Sequence, residues 1–266
     1  MNTMSMNRQN AVPVVKPLVV EGLSKSYGAV QVLSNLNLRV DPGEIICIVG
    51  PSGAGKTTLL RCLSGLLAPT AGGVRVGTET ISAPVSEIGI VFQDYRGSLL
   101  PWMRSAENVA FPLQGKGVPK AERMERARSS LESVGLPQVA ERYPWQLSGG
   151  MQQRVAIARA LAYDAHILLM DEPFGSLDAQ TRFDLEDLVL SLRKRLEISI
   201  VVVTHDIDEA VYLADRVVVL SGHPATVIDT VEIDLGAERD QIATKADPRF
   251  AEYRSRILSQ IRRPVK

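Results

Sequence analysis

The chain has 266 residues, 45% of them hydrophobic and 23% charged, which is enough material for one large domain or two small ones around a packed core. Its 30 basic residues balance 30 acidic ones. That balance argues against a nucleic-acid partner held by a broad basic face and against anchoring to anionic lipid by a polybasic patch.

Met1 to Lys16 is polar and then interrupted by proline, without the apolar run of a secretion signal, so residues 1–16 are expected to form a loose extension and residues 17–266 the folded domain. The next signal is an uninterrupted apolar run, Ile45 to Val49. Continuous runs suit strands buried on both faces, as in parallel sheets covered by helices. Gly50 to Thr58 follows, and then Leu59, Leu60, Leu63, Leu66 and Leu67 at helical spacing. The stretch from Asp94 to about Leu161 is expected to be a mostly helical insert containing a helix from Pro119 to Val134. Beyond it, Ile167 to Met170 and Ile198 to Val203 are two more buried strands, Val217 to Leu220 is another, and Arg249 to Arg263 is a helix within a C-terminal tail of about 240–266. The longest apolar runs fall far short of the roughly 18–20 residues of a membrane span. Cys47 and Cys62 are too few for a disulfide framework and lack metal-ligand spacing. Both are expected to be small buried hydrophobes, and a cytoplasmic setting is expected.

Three clusters carry chemistry. Gly50-Pro51-Ser52-Gly53-Ala54-Gly55-Lys56-Thr57 fits the eight-residue phosphate loop and lies between a predicted strand and a predicted helix. Its glycines turn backbone N–H groups toward phosphate oxygens, the helix adds its positive end, Lys56 reaches the terminal phosphates and Thr57 can ligate Mg2+. The predicted ligand is a nucleoside triphosphate. Asp171 and Glu172 end a buried strand, and alternation along it gives them different tasks: Asp171 for the metal, Glu172 as general base toward the attacking water. His205, at the end of a third strand, is expected to contact the γ-phosphate. Ser148, Gly149 and Gly150 open another helix and form a second anion-binding terminus. With one phosphate loop per chain, the economical arrangement is a head-to-tail homodimer in which each chain offers Ser148 and Gly150 to its partner's nucleotide.

Taken together, these residues resemble the ATP-binding subunit of an ABC transporter, over nearly the whole chain from about Leu18 to Arg263. The resemblance implies an α/β P-loop NTPase, with a RecA-like parallel-sheet core, an antiparallel β subdomain and an inserted helical subdomain at about 94–161. It makes Gly50 to Thr58 the Walker A loop, Gln93 the Q-loop glutamine with a place near the metal, and Leu147 to Gln152 the signature. Ile167 to Glu172 become Walker B, Ser176 to Asp178 the D-loop and His205 the switch histidine, and Tyr27 falls where the family stacks an aromatic on adenine. ATP and Mg2+ are the implied ligands. The implied partners are a second copy, membrane permease subunits and, indirectly, a periplasmic or extracellular solute-binding protein, at the cytoplasmic face of the inner membrane.

Ser98-Leu99-Leu100-Pro101-Trp102, Glu107-Asn108-Val109, Tyr143-Pro144 and the run His205 to Arg216 are similar to the nitrate, sulfonate and taurine importer branch. The segment from Gln93 to Trp102 is two residues longer than that branch's common form, and Trp145 stands where histidine is frequent. A soluble cluster-assembly ATPase is the alternative function. Leu99, Leu100, Trp102 and Met103 either form a groove for a short permease helix or simply pack the insert.

Overall fold

The computed structural model describes residues 15–262, so residues 1–14 of the expected extension and Arg263 lie outside the described residues. In chain order the first elements are β1 (Leu18–Tyr27), β2 (Val30–Val40), β3 (Ile45–Val49), α1 (Lys56–Leu63), β4 (Ala71–Val76), β5 (Glu79–Thr80) and β6 (Ile88–Val91). The insert supplies α2 (Tyr95–Ser98), α3 (Ser105–Gly115), α4 (Lys120–Ser133) and α5 (Gly149–Ala162). The remainder is β7 (Ile167–Asp171), α6 (Ala179–Leu196), β8 (Ser199–Val203), α7 (Ile207–Leu213), β9 (Arg216–Leu220), β10 (Val227–Glu232), α8 (Ala243–Ala246) and α9 (Pro248–Ile261).

Two sheets organise these elements. A six-stranded sheet runs β10-β9-β3-β8-β7-β6, parallel throughout except for β10 at its edge. A four-stranded antiparallel sheet runs β2-β1-β4-β5. The uninterrupted apolar runs have the predicted consequence: every residue of β3, β7 and β8 is buried. Alternate residues serve opposite faces. Ile45, Cys47 and Val49 join a core with α5, α6, α7 and α9, whereas Ile46 and Ile48 join a second core with α1 and the antiparallel sheet. Each fully buried Ile, Val or Leu contributes roughly 1.5–3 kcal/mol to holding these layers together. Cys47 and Cys62 are both buried and unpaired.

The leucine spacing overstates the first helix. α1 ends at Leu63, because Gly65 takes a left-handed backbone (φ 74°) directly against Ala83 and Pro84, and Leu66 is left exposed beyond it. The two sheets are joined at a seam in which Ala225 donates to the Val32 carbonyl and accepts from the Ser34 amide, both at 2.8–2.9 Å. No helix among the described residues is long and apolar enough to cross a membrane.

Candidate active site

The site begins where β3 leaves the sheet. Gly55 precedes α1 with φ 75°, and a Cβ there would lie 2.7 Å from Val32 and 2.9 Å from Leu33, so only glycine fits. The first turn of α1 carries no acidic residue and no side-chain cap, which leaves its N–H groups facing the loop. Lys56 folds back over that loop, donating from Nζ to the Gly50 carbonyl at 3.0 Å and the Pro51 carbonyl at 3.1 Å. Burial pulls its pKa down, while the nearby Glu172 and Asp171 charges hold it up. His223, from the loop after β9, stands over the phosphate loop with Nε2 3.3 Å from the position of a Cβ on Gly53.

At the end of β7 the two carboxylates part. Asp171 is buried beside the Thr57 hydroxyl, and burial raises its pKa against the opposing pull of that hydrogen bond. Its Oδ1 has no hydrogen-bond partner. An orphaned carboxylate oxygen next to a hydroxyl is a pair of hard oxygen donors, a donor set that fits Mg2+. Glu172 turns the other way on a left-handed backbone (φ 43°), a conformation that costs a non-glycine residue on the order of 1 kcal/mol. Its Oε2 accepts from Gln93 Nε2 at 2.9 Å and lies 3.2 Å from His205 Nδ1. Gln93, implied by resemblance, and His205, expected at the end of a third strand, thus meet on one oxygen of Glu172.

The remaining predicted residues lie apart from that cluster. Ser148 caps α5, its hydroxyl accepting from the Met151 amide at 3.3 Å. A Cβ on Gly150 would come within 2.2 Å of the Thr181 methyl, so the opening of α5 is pressed against the first turn of α6. Asp178 caps α6, accepting from the Thr181 amide at 3.0 Å and hydroxyl at 2.7 Å; these bonds hold its carboxyl below the usual range. Among the described residues, no hydrogen bond joins Ser148, Gly149, Gly150 or Asp178 to the phosphate loop of the same chain. Tyr27 stands half-exposed at the end of β1, with Lys25 Nζ 5.4 Å from its ring centre.

The insert divides the residues of the expected groove. Leu99 is buried in the core and so takes no part in a groove, whereas Trp102 is 69% exposed. Trp102 and Met103 line a cavity of about 320 Å³ with Ala110, Phe111 and Met124, rimmed by Glu107, Lys120 and Arg123. Asn108 separates the two fates. Fully buried, it donates to the carbonyls of Leu100, Met103 and Arg104 and accepts from the Leu100 amide at 2.7 Å, pinning the turn that presents Trp102. Trp145, 70% exposed, stacks on Tyr143 with ring centres 5.8 Å apart. In the sequence Asn108 stands only as one residue of a resembling run. Its signal was a small amide set among apolar helix positions, where an unpaired amide would be costly. Phe111, Thr181 and Arg182 carry no comparable mark in the sequence.

The ABC transporter family model matches residues 33–175. The taurine import ATP-binding protein TauB of Pseudomonas entomophila is 43% identical over 250 residues, covering 92% of this chain and 96% of that protein. The nitrate import ATP-binding protein NrtD of a Synechocystis strain is 43% identical over 240 residues, covering 88% and 90% respectively. Among solved structures, the dimeric bacterial ABC transporter cassette MJ0796 superposes with a TM-score of 0.71 at 34% identity, over 82% of this chain and 99% of that one. The same cassette in a dimeric post-hydrolysis state bound to ADP and Pi also gives 0.71.

Proposed function

The chain belongs to the ABC transporter family, and from that premise we propose that it is the ATP-hydrolysing subunit of a membrane importer for a small solute such as nitrate, a sulfonate or taurine. It works as a homodimer on permease subunits at the cytoplasmic face of the inner membrane, with a solute-binding protein delivering cargo on the far side, and as an enzyme it is a transport-coupled ATPase, a translocase. The observation that carries this reading is the convergence of Gln93, Glu172 and His205 beside the buried Lys56 and Asp171.

Tyr27 stacks on the base, and the amides of Gly50 and of residues 52–58, with Lys56, hold the phosphates. Thr57, Asp171 and Gln93 would hold Mg2+, which neutralises charge on the terminal phosphates when bound. The partner copy closes with its own Ser148, Gly149 and Gly150 over the γ-phosphate and excludes bulk water, while Asp178 links the two sites. Glu172 Oε2, already the meeting point of Gln93 and His205, takes a proton from the attacking water, and His205 stabilises the charge that develops on the transferred group. Closure and reopening of the dimer reach the permease through Gln93 and the insert, where the exposed Trp102 and Phe111 form the docking surface.

Glu172→Gln keeps the shape and hydrogen bonding but removes the base. Hydrolysis by the purified dimer should fall roughly 10²–10⁴-fold, with ATP still bound and the closed dimer accumulating on a sizing column. Turnover within tenfold of the wild type would overturn the assignment.

A further inference from the structure

The first turn of α6 touches two segments that lie far apart in the chain. Its cap is Asp178, and its Thr181 presses on Gly150 of the signature. Its next residue, Arg182, reaches into the switch loop: Nη1 donates to Asp206 Oδ2 at 3.3 Å, and Nε lies 3.6 Å from Glu209 Oε1. Arg182 Nε is buried and makes no hydrogen bond, so the guanidinium is held in place by charge as well as by its single bond to Asp206.

The residues that receive Arg182, Asp206 and Glu209, closely follow His205 in the chain. Glu209 is 4% exposed and accepts from the Thr204 hydroxyl at 2.7 Å. The same hydroxyl accepts from the Asp206 amide at 3.0 Å, and Asp206 Oδ1 caps α7 through the Asp208 and Glu209 amides. Thr204, buried, donates its amide to the Ile48 carbonyl of β3. His205 therefore sits between two residues whose side chains are both locked, and one of them is locked to α6.

We propose that Arg182 is a positioning residue for His205: it couples the D-loop helix to the switch loop, so that Nδ1 of His205 is held on Glu172 only while the first turn of α6 is in register. In the dimer proposed above, Asp178 and Gly150 would meet the partner's nucleotide and His205 the chain's own, so the Arg182 contact joins the elements that carry the two. This rests on the ATPase reading above.

The test is a double-mutant cycle on the purified full chain, with ATP turnover, KM for ATP and melting temperature measured for each variant. Arg182→Gln should lower kcat on the order of ten- to a hundredfold with KM little changed, as displacement of a positioned group does, and Arg182→Lys should recover part of the loss. In a His205→Ala background, Arg182→Gln should cost nothing further. Should Arg182→Gln fail to fold, Asp206→Asn weakens the same contact from the other side, replacing the Oδ2 acceptor while Oδ1 still caps α7, and completes the cycle. The proposal is overturned if kcat is unchanged, if the full loss persists without His205, or if the loss merely follows a fall in melting temperature. Absence of hydrolysis by the wild-type chain would overturn the ATPase reading itself, whereas a wild-type rate in Arg182→Gln overturns the coupling alone.

Discussion

The rim of the parallel sheet and the outer face of the helical insert both carry residues expected to be functional, but they hold them in opposite ways. At the sheet rim, Lys56 and Asp171 are buried, and Glu172 is met by both Gln93 and His205. On the insert, Trp102 and Trp145 are largely exposed; Asn108 fixes the backbone beneath Trp102, and Trp145 rests on Tyr143 alone among the rings. Internal bonds hold the first region, whereas the second leaves large side chains uncovered. Chemistry requires atoms placed before the substrate arrives, whereas docking requires apolar area that remains to be covered.

Breaking the second region should leave the first intact. Trp102→Glu should cost roughly 2–4 kcal/mol of permease docking and with it most solute uptake in cells, while ATP turnover by the purified chain stays within about twofold. Normal uptake by the variant would remove Trp102 from the proposed docking surface.

The seam between the two regions can be stressed where α5 meets α6. Gly150→Ala places a methyl 2.2 Å from Thr181 Cγ2, an overpacking whose cost falls toward the top of the roughly 1–3 kcal/mol usual for such changes. Thr181→Ser removes that methyl and keeps the hydroxyl on Asp178, so the double variant should melt close to the wild type. No recovery in the double variant would place the strain elsewhere.

A smaller effect sharpens the electrostatic side of the contrast. Burial, with Asp206 and Glu186 nearby, raises the Glu209 carboxyl to about 7 against the opposing pull of the Thr204 hydroxyl and Arg182; Lys245 sits 3.5 Å from Glu186 on the far side. The folded chain therefore binds this proton more tightly than the unfolded one, and stability falls as pH rises from about 4.5 to about 7. Glu209→Gln fixes the neutral form. Denaturant unfolding at pH 5 and pH 7.5 should show a drop smaller than that of the wild type by on the order of 1–2 kcal/mol. An equal drop in both would assign the pH dependence to other groups.

What could be read from the chain divides along the same line. β3, β7 and β8 announced themselves because strands buried on both faces need unbroken apolar runs, and the phosphate loop and the acidic pair follow them directly. The antiparallel sheet entered only through family resemblance. β1 and β2 shift register at several points, which breaks the period-two pattern that would have marked them. Leu99 and Trp102 are indistinguishable by spacing, and a clamp by Asn108 is a tertiary event. Arg182 gave no local sign, since the residues it grips lie 24 and 27 positions further on.

The seam at Ala225 makes one stretch of β2 do two jobs. Its two backbone bonds hold Val32 and Ser34 to the loop after β9, and the missing Cβ of Gly55 lets Val32 and Leu33 close onto the phosphate loop from the other side. The strand pair that carries Tyr27 and the loop proposed to hold the phosphates therefore share a single brace, three residues long.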